Sequence, residues 1–415
     1  MDAPPSKSVA QRAIALAAMA HGTSTLSNVG RSDDVRAAVE VARALGVRVD
    51  EGQSGELRVH GGPLKPRGPL PCGESGLALR MFAPIASTVG GPVVLTGRGS
   101  LLQRPLGPLV EALGLVGVDC RTTGGGLPLT VCGPLRPSGE LRLDGSHGSQ
   151  VLTGLLLALV RTGQQARLRV DKLKSRPYVD LTIGMMRRYG VGVEVLPHDE
   201  FRIAPFQRYL PSHLDVEGDW SAAAFWMVSG AIAGDVVVKR LNHSSLQPDV
   251  AIVGVLRQVG ARVEVAEGSV RVQRTGDKAF TYDATHSPDL FPPLVALAAN
   301  CKGISEICGV ARLRHKESDR AAALMEEFGK MGIRIEIHGD TMLVHGGNPR
   351  AAALSSHGDH RMAMACAVAA LRANSAVQID GAEAVEKSYP GFWGELLRLQ
   401  GEQPAAGAAR ITKVF

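Results

Sequence analysis

Four short segments of this sequence place charge directly in front of apolar, helix-like runs. They are Pro5-Ser6-Lys7-Ser8-Val9-Ala10-Gln11-Arg12, His315-Lys316-Glu317-Ser318-Asp319-Arg320, Gly358-Asp359-His360-Arg361-Met362-Ala363-Met364 and Val385-Glu386-Lys387-Ser388-Tyr389-Pro390. Dense charge at the mouth of an apolar helix is unusual for a segment that only fills a core. A helix N-terminus carries unpaired N–H groups and partial positive charge, so a nearby cation turns it into an anion site. Arg31, Arg104, Arg176, Lys316 and Lys387 each flank such a start. Read one at a time, these segments are equally well explained as capped helices with ion pairs. Their repetition points to a protein that binds anionic ligands.

The elements that would carry these residues recur. Six apolar-periodic helices run up to glycines at 46, 117, 190, 260, 332 and 401, spaced 69 to 73 residues apart. Valine- and isoleucine-rich strands follow most of them, as in Val47-Arg48-Val49 and Ile333-Arg334-Ile335-Glu336-Ile337. Glycine at the helix C′ position accepts the left-handed conformation, and β-branched alternation suits a strand. A near-constant period marks one supersecondary unit repeated six times. Three units fall on each side of a boundary near residue 213. This predicts domains over 8–213 and 214–415, with residues 1–7 at the crossover and a site between them.

With 415 residues and 45% hydrophobic content, the chain can build two ordinary cores. Its net charge is +6, but the basic residues are dispersed, without a Lys/Arg run or interleaved aromatics. That argues against nucleic acid and for a basic cleft that takes small anions. The six cysteines form no CxxC pair, and no histidine cluster has metal-ligand spacing, so reduced, mostly buried thiols in a cytoplasmic protein are expected. Met1 to Lys7 does not read as a signal peptide, and runs such as Val151 to Val160 are too short to cross a bilayer, so no membrane partner is expected.

Taken together, the motifs resemble the EPSP synthase family along nearly the whole chain. The opening Lys7, Ser8 and Arg12 match its SKS-xxx-R motif. Gly73 to Arg80 is similar to its glycine-rich loop, Arg104-Pro105 to its RP pair, Ser149-Gln150 to its SQ segment and Ser175-Arg176-Pro177-Tyr178 to its S-[KR]-P-Y segment. Pro288-Asp289, Lys316 to Arg320, Asp359 to Arg361 and Lys387 match its later motifs in order. The resemblance implies an α/β fold of two inverse domains, each of three βαβαββ repeats, with the active site in the interdomain cleft.

It also implies an activity: transfer of the enolpyruvyl group of phosphoenolpyruvate to the 5-hydroxyl of shikimate 3-phosphate, on the route to chorismate. Lys7, Ser8, Arg12, Ser149, Gln150, Ser175, Asp289 and Lys316 would hold shikimate 3-phosphate. Lys7, Gly76, Arg104, Gln150, Arg320, Arg361 and Lys387 would hold phosphoenolpyruvate. In catalysis, Asp289 is assigned to the 5-hydroxyl, Glu317 to the methylene carbon and Lys7 to the departing phosphate. No metal or organic cofactor is required, the partners are the two small substrates, and the chain is expected to act as a monomer. Opposed cations would keep the cleft open until an anion bridges them, and Gly76 implies competition by glyphosate.

Some residues depart from the family pattern. Glu74 stands where asparagine is usual, Leu77 where threonine is usual, and Gly148 where a phosphate-binding serine is common. Glu74 is expected to pair with a cation, and Gly148 keeps open a carboxyvinyltransferase acting on another phosphorylated alcohol. Gly99 to Gln103 contains no cysteine, which argues against the UDP-N-acetylglucosamine carboxyvinyltransferase that shares the fold. A non-catalytic anion-binding protein fits poorly with Lys7, Asp289 and Glu317 all present. At the ends, only six residues precede Lys7. The tail Arg410 to Phe415 has strand-forming residues. It is expected to follow the sixth helix as a strand and to take the place usually filled from the N-terminus.

Overall fold

The computed structural model describes residues 1–52, 55–402 and 411–414. The chain divides into two compact units, Pro5–Val216 and Met1–Pro4 with Glu217–Phe415. The N-terminal unit carries helices α1 (Lys7–Met19), α2 (Asp33–Ala44), α3 (Gly76–Ala86), α4 (Gly107–Gly114), α5 (Gln150–Val160) and α6 (Arg176–Arg188). The C-terminal unit carries α7 (Trp220–Ala233), α8 (Ile252–Val259), α9 (Phe291–Ala298), α10 (Arg320–Lys330), α11 (His360–Ala369) and α12 (Phe392–Glu402).

The helices are of two kinds, and the sequence explains both. Odd-numbered helices such as α5 (QVLTGLLLALV) are predominantly apolar and buried along nearly their whole length, their few charged residues lying near their leading ends. A helix without a continuous polar face sits inside. Even-numbered helices such as α2 bury one stripe and expose charges such as Arg36 and Glu40. In each unit these helices and the sheets enclose one apolar core.

Each unit holds three sheets, and all but the last are built on one plan. In the second repeat, Leu70–Pro71 pairs parallel with Gly91–Thr96, which pairs antiparallel with Gly126–Gly133, and Asp119–Thr123 closes the far edge. The third and fifth repeats keep this order. The first repeat takes its parallel edge strand, His213–Asp215, from the far end of its unit. The fourth has a parallel bridge from Asp2 to Lys239 at the same place, which explains why Met1–Pro4 belongs with the C-terminal unit.

The sixth repeat departs from the plan. Ala353–Ser355, Val377–Asp380 and Ile411–Val414 form a sheet that is parallel throughout. The tail strand thus follows α12 as expected, while Arg410 and Phe415 lie outside the described residues. The expected exchange of termini finds no support in the sheets: the N-terminal residues hold an edge place of their own, in the fourth sheet. Gly401 is a second correction. It lies inside α12, which runs on to Glu402, whereas the other five repeat glycines adopt positive φ between 73° and 89°.

Gly46 shows why that position resists substitution. At φ +88°, a built Cβ would lie 2.5 Å from the backbone oxygen of Lys65, which no rotamer change relieves. Gly46→Ala should therefore destabilise the N-terminal unit by about 1–3 kcal/mol. Each kcal/mol lowers Tm by about 2–4 °C in a domain of this size. Gly254→Ala, inside α8 with nothing within 4 Å, should instead be neutral or raise stability by up to ~1 kcal/mol. Thermal unfolding of both variants checks this, and equal Tm values would contradict it.

Candidate active site

In the N-terminal unit, the implicated residues gather at the leading ends of α1, α3, α5 and α6. Ser6 caps α1, accepting from the Val9 N–H at 3.4 Å. Lys7, in the first turn, lies 2.6 Å from the carboxylate of Asp34 at the head of α2. Arg12 is buried, and its Nε donates to Thr182 Oγ1 at 2.9 Å. Thr182 on α6 also lies 3.1 Å from Thr153 Oγ1 on α5, so one hydroxyl pair ties three helices together. Another Arg12 nitrogen donates to the Ser8 carbonyl at 2.8 Å.

Burial pushes the Arg12 guanidinium down to about 10, with the Tyr178 side chain pulling the other way. No carboxylate among the described residues pairs with it. A cation withdrawn from water without a counter-charge is costly. It makes sense where the protein binds an anion.

Ser149 and Ser175 are the N-cap residues of α5 and α6, and neither hydroxyl caps its own helix. Both are buried. Ser175 holds a left-handed backbone (φ 55°), a strained choice for serine that is commonest at functional positions. Gln150 follows Ser149 in the first turn of α5 and is half-buried. Gly148 has φ +112°, a conformation that serine avoids, so the backbone itself accounts for the missing hydroxyl.

Gly76 opens α3 behind the Ser75 cap. A Cβ at Gly76 would collide with the Arg104 guanidinium and crowd Arg80, so two cations lie against the start of α3. Gln11 and Ser75 were not singled out from sequence. The Ser75 hydroxyl donates to Gln11 Oε1 at 2.8 Å and fastens α1 to this loop. Glu74 accepts from the N–H and O–H of Ser100 at 3.2 and 3.0 Å. It thereby anchors the 3₁₀ turn Gly99–Gln103 that leads into Arg104. Arg176, the cation beside the start of α6, is engaged by Asp180 at 3.0 Å and by Asp199.

In the C-terminal unit, one buried guanidinium organises the site. Arg320 has no exposed surface. It donates to Asp359 at 2.7 and 3.2 Å, to Glu317 at 2.7 Å and to Asp289 at 3.1 Å. Asp289 also lies 3.2 Å from Lys316 and 3.2 Å from Arg361. Burial alone would raise the Asp289 carboxyl, but Arg361, Lys316 and Arg320 outweigh it and hold it well below its ordinary value. Burial pushes the Lys316 ammonium down to about 8, against the pull of Asp289.

Asp359 caps α11 by accepting from the Arg361 N–H at 2.9 Å. Arg361 donates to His360 Nε2 at 2.9 Å. That bond needs an unprotonated Nε2, which places the ring proton of a neutral His360 on Nδ1. Lys387 is buried at the end of the 3₁₀ turn Ala382–Lys387. Two residues on, Tyr389 accepts from Trp226 Nε1 at 3.1 Å, and Trp226 also stacks on Phe392 at 4.8 Å. These rings pin the turn that carries the lysine.

Asp249 escaped sequence reading, because a helix-start role already accounted for it. It is buried, and Ser221 Oγ donates to it at 2.9 Å. Burial and the charge of Asp289 push its carboxyl up to about 7, with Arg361 opposing.

Comparison with known proteins agrees with this geometry. Residues 1–396 match the sequence profile of EPSP synthase (3-phosphoshikimate 1-carboxyvinyltransferase). The 3-phosphoshikimate 1-carboxyvinyltransferase of Clostridium kluyveri is 38% identical over 405 residues, covering 96% of this chain and 94% of that protein. That of Methanopyrus kandleri is 38% identical over 407 residues, covering 95% and 94%. The solved structure of EPSP synthase from Acinetobacter baumannii superposes with a TM-score of 0.78 at 27% identity, covering 96% and 94%. With a profile match along almost its whole length and relatives at this identity, the chain belongs to the EPSP synthase family.

Proposed function

We propose that this chain transfers the enolpyruvyl group of phosphoenolpyruvate to the 5-hydroxyl of shikimate 3-phosphate and releases phosphate. The observation that carries the reading is the pair Asp289 and Glu317. They are two carboxylates on one buried guanidinium, set among further cations. Addition followed by elimination needs this combination: groups that exchange protons, and fixed positive charge for the anions.

In this reading Asp289 takes the proton of the 5-hydroxyl as that oxygen bonds to carbon 2 of phosphoenolpyruvate. Glu317 delivers a proton to carbon 3 and later removes one, as the bond from carbon 2 to the phosphate oxygen breaks and the proton held by Asp289 leaves with the phosphate. Bound phosphoenolpyruvate shares the charge of Arg320 and Arg361, which raises the proton affinity of Asp289 from its low resting value. Lys387 and Arg104 complete the grip on phosphoenolpyruvate, with the backbone of Gly76, and Lys7 neutralises the departing phosphate. Arg12 and Ser8 hold the shikimate carboxylate, while Ser149 and Ser175 hold the 3-phosphate with Lys316. Gln150 touches both substrates.

We infer further that the protein works as a monomer in the cytoplasm. Six free cysteines, three of them buried, suit a reducing compartment. No helix among the described residues is long and apolar enough to cross a membrane. The profile match and the relatives, all 3-phosphoshikimate 1-carboxyvinyltransferases, favour shikimate 3-phosphate over a different phosphorylated alcohol.

A phosphate-release assay tests the reaction, which should require both substrates. Asp289→Ala and Glu317→Ala should each lose about 10²–10⁴-fold in turnover while still binding shikimate 3-phosphate. Parental turnover by Glu317→Ala would remove its assigned role. The pH profile gives a second test. With the Lys316 ammonium pushed down to about 8, kcat/KM should fall on the alkaline side with an apparent pKa near that value. Lys316→Arg stays protonated and should abolish this limb. A limb that persists in the arginine variant would show that another group titrates.

A further inference from the structure

Arg320 and Glu327 lie seven residues apart on α10, two turns along one face. Both are fully buried. Arg320 holds Asp359, and Glu327 holds the start of the same turn. Glu327 Oε2 accepts the Ser355 N–H at 2.9 Å, and its Oε1 lies 2.6 Å from His357 Nε2 and 2.8 Å from Lys330 Nζ. One helix therefore grips the connection from Ser355 to Asp359 at both ends.

That connection needs gripping. His357 and Gly358 both have positive φ, 52° and 65°. A left-handed histidine is strained and persists only where its surroundings enforce it. Local bonds help: the His357 N–H donates to Ser355 Oγ at 3.1 Å, and the Gly358 N–H to Ser356 Oγ at 3.1 Å. Beyond the turn come Asp359, which caps α11 and holds Arg320, and Arg361, which meets Asp289.

We propose that Glu327 is a positioning residue for this reaction: through Ser355 and His357 its buried carboxylate sets the turn that carries Asp359, which orients Arg320, and Arg361, and so places both guanidinium groups for phosphoenolpyruvate. The proposal rests on the functional reading above. Donor atoms of Glu326, Glu327 and His357 lie within 4.8 Å of one another, a spacing that a metal ion could use. The Lys330 ammonium, however, contacts both carboxylates, at 2.9 and 2.8 Å. The chain supplies its own cation there, and the cluster works as a latch.

Two variants of the full chain test the latch. Glu327→Ala removes every bond to the turn. His357→Asn removes only the side-chain bond, because asparagine accepts the left-handed backbone. Glu327→Ala should raise KM for phosphoenolpyruvate about tenfold, equivalent to ~1.4 kcal/mol, and leave KM for shikimate 3-phosphate within about twofold. His357→Asn should change KM for phosphoenolpyruvate in the same direction by about threefold, and the double variant should be no worse than Glu327→Ala alone. Hydrogen exchange should quicken across residues 355–361 in both variants and not elsewhere. A parental KM for phosphoenolpyruvate, an equal rise for both substrates, or unchanged exchange at 355–361 would overturn the proposal. Absence of turnover in the parent would instead reject the functional reading, and the exchange measurement would still decide whether the latch exists.

Discussion

A guanidinium with no exposed surface sets the terms for the C-terminal unit. Removing Arg320 from water costs several kcal/mol, which only close carboxylates with good geometry offset. Asp359, Glu317 and Asp289 supply them. Three carboxylates are in turn more negative charge than one arginine balances, and Lys316 and Arg361 bring the local count of cations to three. The network is therefore balanced internally. An arriving anion competes with the carboxylates for the cations, so binding and the proton affinity of Asp289 are linked through the same bonds.

The N-terminal unit solves a different problem. Arg12 is buried against hydroxyls and a carbonyl rather than acids. Ser149 and Ser175 keep their hydroxyls off their own helix ends. Positive potential there comes from helix starts and from arginines such as Arg12. Glu74 fits this picture: its carboxylate is directed to Ser100, where it braces the turn before Arg104. An acid in this loop is acceptable where amide and hydroxyl donors engage its oxygens.

The sixfold period was legible because five of its glycines end a helix in a conformation that other residues avoid. Gly401 misled because glycine within the last turn of a helix costs little and leaves no trace in the pattern. Local motifs located Lys7, Arg12, Asp289, Glu317, Arg320 and Arg361, since their chemistry sits beside recognisable helix starts. Other features were hidden by distance along the chain. Glu327 meets His357 thirty residues away, and Asp249 meets Ser221 twenty-eight away. The pairing of Arg176 with Asp199 was hidden in the same way, because nothing local reveals Asp199 across the turn. The crossover pieces, the bridge at Asp2 and the strand His213–Asp215, are too short to announce their sheet.

The Arg320–Asp359 contact, buried on both sides, makes the two residues one energetic unit on which Glu317 and Asp289 rely. All three tryptophans, Trp220, Trp226 and Trp393, lie in the C-terminal unit, so their fluorescence during urea unfolding follows that unit alone. The measurement is a double-mutant cycle with Arg320→Met, Asp359→Asn and the combined variant. Each single change should cost about 3–5 kcal/mol by leaving a buried partner uncompensated, and the pair should cost clearly less than the sum. Losses that add to within about 0.5 kcal/mol would contradict the account.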